Sequence, residues 1–173
     1  SLSSYSYLDE VGSNEASDPY HFGASLIRRI TDTPGQEIAT HTLSHYYCLE
    51  EGQTDAAFEA DLQAAIALGK RRGISLRSIV FPRNQYADKH LGICQKYGII
   101  AYRGNQLAWA YKSTAGAGQT LLRRGVRLAD AYTGLLGHQT YLPSTGVPGN
   151  VPASQFLRPC SGRFAVIHPA HIH

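Results

Sequence analysis

The sequence predicts a mixed α/β fold built on a parallel β-sheet. Short apolar segments of strand length alternate along the chain with helical segments of about 10 to 18 residues, a pattern typical of βαβ units. Polar side chains follow directly after the strand segments. In parallel sheets the loops at the carboxyl ends of the strands carry the active site, so the same pattern indicates where function should lie.

Before residue 82 the sequence predicts a lead-in loop, two helices and two strands. The lead-in shows no periodicity, whereas apolar side chains recur at helical spacing in both helices. Thr54 is a suitable N-cap for the second helix, and Gly73 is a suitable C-terminal cap. Pro82 stops the second strand. The predicted segments are a loop at 1–21, helices at 23–33 and 54–73, and strands at 36–40 and 78–81.

The alternation continues after residue 82. A helix with Leu91 and Cys94 on its apolar face is expected to end before Gly98, and a longer helix follows with Leu121 and Leu128 among its core candidates. A segment rich in proline and glycine, 143–152, is expected to be a loop. The predicted segments are helices at 88–97 and 119–136, a strand at 99–102, and short strands at 156–158 and 164–167.

Length and composition indicate one globular domain and exclude several classes of protein. The chain has 173 residues, 43% hydrophobic and 17% charged, and its apolar runs are too short to span a membrane. A net charge of +3 is too weak and dispersed to predict nucleic-acid binding. Three widely spaced cysteines argue against a disulfide framework and favour the cytoplasm for this chain. A secreted or surface-associated parent protein stays open.

Two histidines form the most informative motif. His41 and His45 follow the first predicted strand and are four residues apart. If the chain turns helically there, both imidazoles lie on one side and can bind one cation. Thr42 and Ser44 are available to orient them. The alternative is a pair of loop histidines bonded to backbone carbonyl groups.

Further polar residues follow the other predicted strands. Arg83, Asn84 and Gln85 come after the second strand, and Arg103 and Asn105 come after the third. We expect these side chains to share one mouth with the histidines, because the strands of a parallel sheet end at the same edge. Arg158 follows the fourth predicted strand and completes this expected set.

These motifs resemble the polysaccharide deacetylases of carbohydrate esterase family 4, the NodB-homology group. The segment Gly35-Gln-Glu-Ile-Ala-Thr-His41-Thr-Leu-Ser-His45 is similar to that family's second motif, in which both histidines bind the metal. Residues 78–85 occupy the place of the third motif, although arginine and proline stand in reverse order and the glycine is missing. The resemblance spans roughly residues 20 to 173 and implies an incomplete (β/α) barrel with parallel strands and outer helices.

The resemblance implies a metal-dependent hydrolase that removes N-acetyl, sometimes O-acetyl, groups from an acetylated polysaccharide or oligosaccharide. A divalent cation, usually zinc, would bind His41 and His45. Arg83 would take the catalytic role of lining the groove and orienting an acid. The residues expected to bind the sugar are Asn84, Arg103, Asn105 and Arg158.

Two of the family's motifs have no convincing match. Nothing before His41 resembles the aspartate pair that supplies the third ligand and the general base, and His168, His171 and His173 only loosely resemble the last motif. We therefore interpret residues 1–173 as a single partial catalytic domain, with 1–21 as its lead-in and 22–173 as a barrel fragment. Such a fragment is expected to show no appreciable activity alone.

Three alternatives remain open at this point. The chain is a non-catalytic glycan-binding relic of the same fold, or it carries a structural zinc site formed by His41, His45 and Cys48. Other metal-dependent hydrolases on parallel barrels also place histidines at strand ends. Those enzymes usually carry H-x-H on one strand, which does not occur at this position.

Overall fold

The structure is a computed structural model that describes residues 10–112, 120–134, 136–137 and 141–153. Contacts divide the chain into two compact units, Ser1–Ile38 and Ala39–His173. The first unit contains helix α1, Ala24–Thr31, as the sequence predicts. The apolar side chains of α1, Leu26, Ile27 and Ile30, are 41% to 55% exposed.

The second unit contains a three-stranded parallel sheet. Its strands are β1 (Ser78–Val80), β2 (Ala101–Gly104) and β3 (Gly149–Pro152), in the order β1-β2-β3. Ile79 pairs with Tyr102, and Tyr102 pairs with Asn150. On the other side of β1, Thr40 forms a single parallel bridge with Ile79. The prediction of a parallel α/β sheet is confirmed, and the sheet is open over the described residues.

Two sequence predictions about the strands are wrong. The segment 36–40 forms no strand, because only Thr40 pairs with a neighbour. The segment 143–152 is not entirely a loop, because β3 occupies its end. The Gly149 amide donates to the Ile100 carbonyl at 2.7 Å, so pairing with β2 outweighs the weak strand propensity of this segment.

A close approach between strands explains the glycine that ends β2. A Cβ atom on Gly104 would lie 2.0 Å from Oδ1 of Asn150 on the neighbouring strand. A side chain at this position would fit only if the Asn150 side chain moved away. The two strands predicted at 156–158 and 164–167 lie outside the described residues.

Three helices of the second unit agree with the predicted positions. They are α2 (Asp55–Arg71), α3 (Asp88–Lys96) and α4 (Leu121–Thr133). The Thr54 hydroxyl accepts the Ala57 amide at 3.1 Å, which confirms the predicted N-cap. Gly134 ends α4 with a φ of 62°.

The core lies between the sheet and helices α2 and α3. One face of α2 contributes Phe58 and Leu62, both fully buried, and α3 contributes Cys94. Burying a large apolar side chain of this kind stabilises the fold by roughly 1.5–3 kcal/mol. The sheet, its flanks and the loop before α2 add the remaining members of the cluster, Cys48, Ile79, Phe81, Ile99 and Tyr102.

His90 is a polar member of this interior. Its side chain is 1% exposed, and its ring lies edge-on to Phe58 at 5.3 Å between centroids. Nδ1 accepts the Ala87 amide at 3.0 Å, and Nε2 lies 3.4 Å from a carboxylate oxygen of Asp55. Burial lowers the pKa of His90 from its ordinary value of 6.5, and the nearby Asp55 charge only partly opposes this effect.

The lowered pKa of His90 predicts a loss of stability in mild acid. The unfolded chain binds a proton at this residue at a higher pH than the folded chain does, so stability is lost as the pH falls below about 6.5. We expect the free energy of unfolding to decrease between about pH 7.5 and about pH 5.5, and to decrease less in His90→Gln. Urea denaturation of both proteins measures the difference. An equal decrease in both proteins would contradict this account of His90.

Candidate functional site

The two histidine rings lie together at the end of the Thr40 bridge. The ring centroids of His41 and His45 are 4.8 Å apart, with an angle of 55° between the ring planes, and both residues are exposed. The sequence suggested a helical turn between them. The turn is not helical, because Thr42 and His45 adopt left-handed φ angles of 62° and 57°. The expected approach of the two rings is therefore reached by a different backbone path.

One ring nitrogen of His41 has a defined partner. Nδ1 lies 2.7 Å from the Val80 carbonyl oxygen, which can only accept, so Nδ1 carries the hydrogen. The lone pair of the neutral ring is then on Nε2. Metal-bound histidines are usually oriented by such a bond, but ordinary loop histidines make it too. The bond to Val80 fixes the tautomer of His41. The closeness of the His45 ring is the observation that favours one ligand shared by both residues.

Asp61 on α2 holds the loop between the histidines. Its carboxylate accepts the Leu43 amide at 2.7 Å, the Ser44 amide at 2.9 Å and the Ser44 hydroxyl at 2.5 Å. Within the loop, the Thr42 hydroxyl accepts the Tyr46 amide at 2.8 Å. Ser44 thus supports the loop through Asp61, whereas the sequence prediction was that it would orient the histidine rings. Asp61 was not predicted, because nothing in the sequence pairs it with residues 17 and 18 positions earlier.

Left-handed backbone conformations are concentrated at this site. Among the described residues other than glycine, positive φ angles occur at Thr42, His45, Arg83 and Asn84. Such conformations cost about 1–3 kcal/mol each, and they persist where surrounding contacts impose them. All four lie in the two loops that follow Thr40 and β1. Strain at this edge of the sheet is typical of a functional site.

Arg83 lies beside the histidine pair. Its guanidinium carbon is 4.3 Å from the centroid of the Tyr47 ring, and one nitrogen is 3.9 Å from a carboxylate oxygen of Glu50. The Tyr47 ring in turn packs edge-on to His45 at 5.0 Å. These contacts form a cluster of His41, His45, Tyr47 and Arg83, which we call the histidine cluster.

The charge of the histidine cluster favours the neutral ligand form of His45. Desolvation by the neighbouring side chains lowers the pKa of His45, and the charges of His41 and Arg83 lower it further. Metal binding requires a neutral imidazole. Nearby, the buried Gln85 accepts the Leu49 amide at 3.3 Å and donates to Glu50 at 2.7 Å. It therefore joins the loop after β1 to the segment that precedes α2.

The sugar-binding residues expected from the sequence lie in a separate cavity. Asn84, Arg103 and Asn105 line a cavity of about 760 Å³ together with one face of α4. The histidines and Arg83 do not line it, so the expectation of a single shared mouth is wrong. Asn105 donates to the Asn84 carbonyl at 3.1 Å, and Asn84 directly follows Arg83 in the chain. Arg158 lies outside the described residues.

Leu121 and Leu128, expected in the core, also line this cavity and are 82% and 48% exposed. Their positions on α4 match helical spacing, but the face they form borders the cavity. The cavity therefore has a polar side at the ends of the strands and a partly apolar side on the helix. Mixed linings of this kind are common in sites for small ligands.

A three-ligand metal site is not present in the described ranges. Within those ranges no group of three or more histidine, cysteine, aspartate or glutamate side chains is placed to hold a metal ion. Cys48 is buried in the core, and burial, reinforced by the Asp61 charge, raises the pKa of its thiol to about 12. The alternative zinc site of His41, His45 and Cys48 is therefore not formed. His168, His171 and His173 lie outside the described residues.

Comparison with known proteins identifies no relative. No protein-family model matches the chain, and no curated protein or solved structure matches it at a significant level. No helix in the described part of the chain has the length and apolar character that crossing a membrane requires. What this chain does must therefore be argued from its own fold and side chains.

The role of Asp61 predicts a measurable cost when its carboxylate is replaced. In Asp61→Asn the uncharged amide accepts these hydrogen bonds more weakly and places donors near the Leu43 and Ser44 amides. We expect the free energy of unfolding to fall by about 1–3 kcal/mol, measured by urea denaturation. Glu51→Gln, at an exposed position, is the control. Unchanged stability in Asp61→Asn, with unchanged hydrogen exchange at Leu43 and Ser44, would exclude this role.

Proposed function

We propose that this chain contributes a two-histidine metal-binding element to the hydrolysis of acetyl groups on a polysaccharide, the reaction of the deacetylases it resembles. The observation that carries this proposal is the pairing of His41 and His45 at the end of a parallel strand pairing, with centroids 4.8 Å apart. The Val80 carbonyl orients His41 so that Nε2 is available as a ligand.

The residues fit a divalent cation in part. Imidazole nitrogens suit zinc, and a catalytic zinc site has three protein ligands with one open position. Two of these ligands would be His41 and His45. The third, a carboxylate in the family that the chain resembles, would come from outside the described residues. We also propose that the open sheet belongs to an incomplete (β/α) barrel, which the parallel register supports.

The side chains of this site have separable tasks in the proposed reaction. A bound cation would polarise an acetyl carbonyl and lower the pKa of a water molecule. His41 and His45 would hold it, and Asp61 would keep their loop in place. Arg83, stacked on Tyr47 next to His45, would line the groove and orient an acid. The residues proposed to bind sugar hydroxyls are Asn84, Arg103, Asn105 and, by resemblance, Arg158.

A second candidate function is glycan binding without catalysis. The observation in its favour is that the cavity lined by Asn84, Arg103 and Asn105 does not include the histidines. Binding of an N-acetylated oligosaccharide with and without zinc separates the two functions. If His41 and His45 can both be replaced by alanine without altering sugar binding in the presence of zinc, the non-catalytic function is favoured.

The metal element is tested by titrating zinc into the chain and following the heat of binding at about pH 7.5, where imidazoles are mostly neutral. His168, His171 and His173 could also bind zinc, so the parent protein for this series carries alanine at these three positions. We expect one weak site, and a loss of affinity of about tenfold or more in His41→Ala and in His45→Ala, corresponding to about 1.4 kcal/mol or more.

His21→Ala is the matched control, because His21 is an exposed histidine of the first unit and bonds to Asp18. It should bind zinc as tightly as the parent of the series. The proposal fails if His41→Ala and His45→Ala retain full affinity, or if His21→Ala weakens binding as much as they do.

A further inference from the structure

The cavity beside α4 has the dimensions of a small-ligand site. Its volume is about 760 Å³, within the range of roughly 300–1,000 Å³ found for such sites. Arg103 reaches it from β2, Asn84 and Asn105 reach it from the segments after β1 and β2, and Ala153 reaches it from the end of β3. The cavity thus lies where ligands usually bind to parallel sheets.

Every charged side chain that lines the cavity in the described structure is an arginine. Arg103 comes from β2, and Arg124 and Arg127 come from α4. No aspartate or glutamate lines it among the described residues. Guanidinium groups form paired hydrogen bonds with carboxylates and phosphates, so this lining favours an anionic ligand.

The distribution of charge along the chain reinforces this conclusion. Of the 13 acidic residues only one, Asp130, follows Asp88, whereas residues 89–173 contain nine lysines and arginines. Asp130 is buried, and its carboxylate accepts the Tyr111 hydroxyl at 2.8 Å and the Leu136 amide at 2.6 Å. Residues 89–173 thus carry nine basic side chains against one buried carboxylate, and the potential around this part of the chain should be positive.

We propose that the cavity binds a sugar residue that carries an anionic group, either a carboxylate or a phosphate. Arg103 and Arg124 would bind the anionic group, and the side-chain amides of Asn84 and Asn105 would bind sugar hydroxyls. Leu121 and Leu128 offer apolar surface to the carbon-bound face of the ring. The sugar part of this proposal rests on the proposed function, and the anionic part rests on the cavity alone.

Calorimetric titration of the full chain tests the proposal at low ionic strength. The probes are a hyaluronan tetrasaccharide, which alternates glucuronate with N-acetylglucosamine, and neutral chitotetraose of the same length. The neutral probe is the fully N-acetylated tetramer, because free glucosamine amines would be positively charged. We expect the acidic tetrasaccharide to bind about tenfold more tightly or better. Arg124→Gln and Arg103→Gln should each remove about tenfold of that affinity. Arg123→Gln, which removes the same charge from the neighbouring position outside the cavity, should have little effect.

Two further probes identify the anionic group. Glucuronic acid and N-acetylglucosamine 6-phosphate are compared with inorganic phosphate, and tighter binding of either sugar than of phosphate supports the proposal. Circular dichroism melts of each variant verify folding. Equal affinity for the acidic and neutral tetrasaccharides would overturn the proposal, as would an equal loss in Arg123→Gln. Tighter binding of a single-stranded oligonucleotide than of hyaluronan would also overturn it, in favour of a nucleic-acid ligand.

The outcome is independent of the metal proposal. In buffer that contains a chelator and no added zinc, the double variant His41→Ala and His45→Ala should bind the acidic tetrasaccharide as the wild type does, because neither histidine lines the cavity. If zinc binding proves absent while this affinity and its arginine dependence persist, the metal proposal fails and the anionic site stands. Loss of acidic-sugar binding in the double variant would instead contradict the separation of the two sites.

Discussion

Two backbone hydrogen bonds at Thr40 position the candidate site. The Thr40 amide donates to the Ser78 carbonyl at 3.0 Å, and the Val80 amide donates to the Thr40 carbonyl at 2.9 Å. This single parallel bridge brings the next residue, His41, to the Val80 carbonyl, which binds Nδ1 of its ring. Without the bridge the first histidine would have no fixed tautomer, and the strained loop after it would have no anchor on the sheet.

The strained backbone and its supports are arranged as a functional site requires. Left-handed φ angles at Thr42 and His45 oppose folding, and the Asp61 carboxylate offsets part of that cost by binding two loop amides. The same loop leads through Tyr47 to Arg83, which also has a left-handed φ. The hydrogen bonds between Asp61 on α2 and the loop thus help to keep the two imidazoles close to the Arg83 guanidinium. The cavity begins at the adjacent Asn84, so the two regions are neighbours along the chain.

Sequence periodicity was sufficient for α2 and α3, because Phe58, Leu62 and Cys94 lie on buried faces at the expected spacing. It failed for β3, since Gly149–Pro152 has little strand propensity and pairs only because β2 is beside it. The histidine pair and the polar strand ends were found from their spacing. The spacing did not predict that these residues divide into a histidine cluster and a cavity, because that division depends on where α4 packs. The role of Asp61 was hidden because its partners are 17 and 18 residues away in the chain, and the packing of α2 brings them together.

The most direct test of the site is the tautomer of His41. A long-range proton–nitrogen correlation spectrum of the imidazole rings, recorded at a pH where they are neutral, distinguishes the two tautomers. The Val80 carbonyl requires the hydrogen on Nδ1 and the lone pair on Nε2, where a cation would bind. A spectrum with that signature for His41, lost on unfolding, is the predicted result. A hydrogen on Nε2 in the folded protein would show that the bridge does not orient the ring, and the metal-binding account would be wrong.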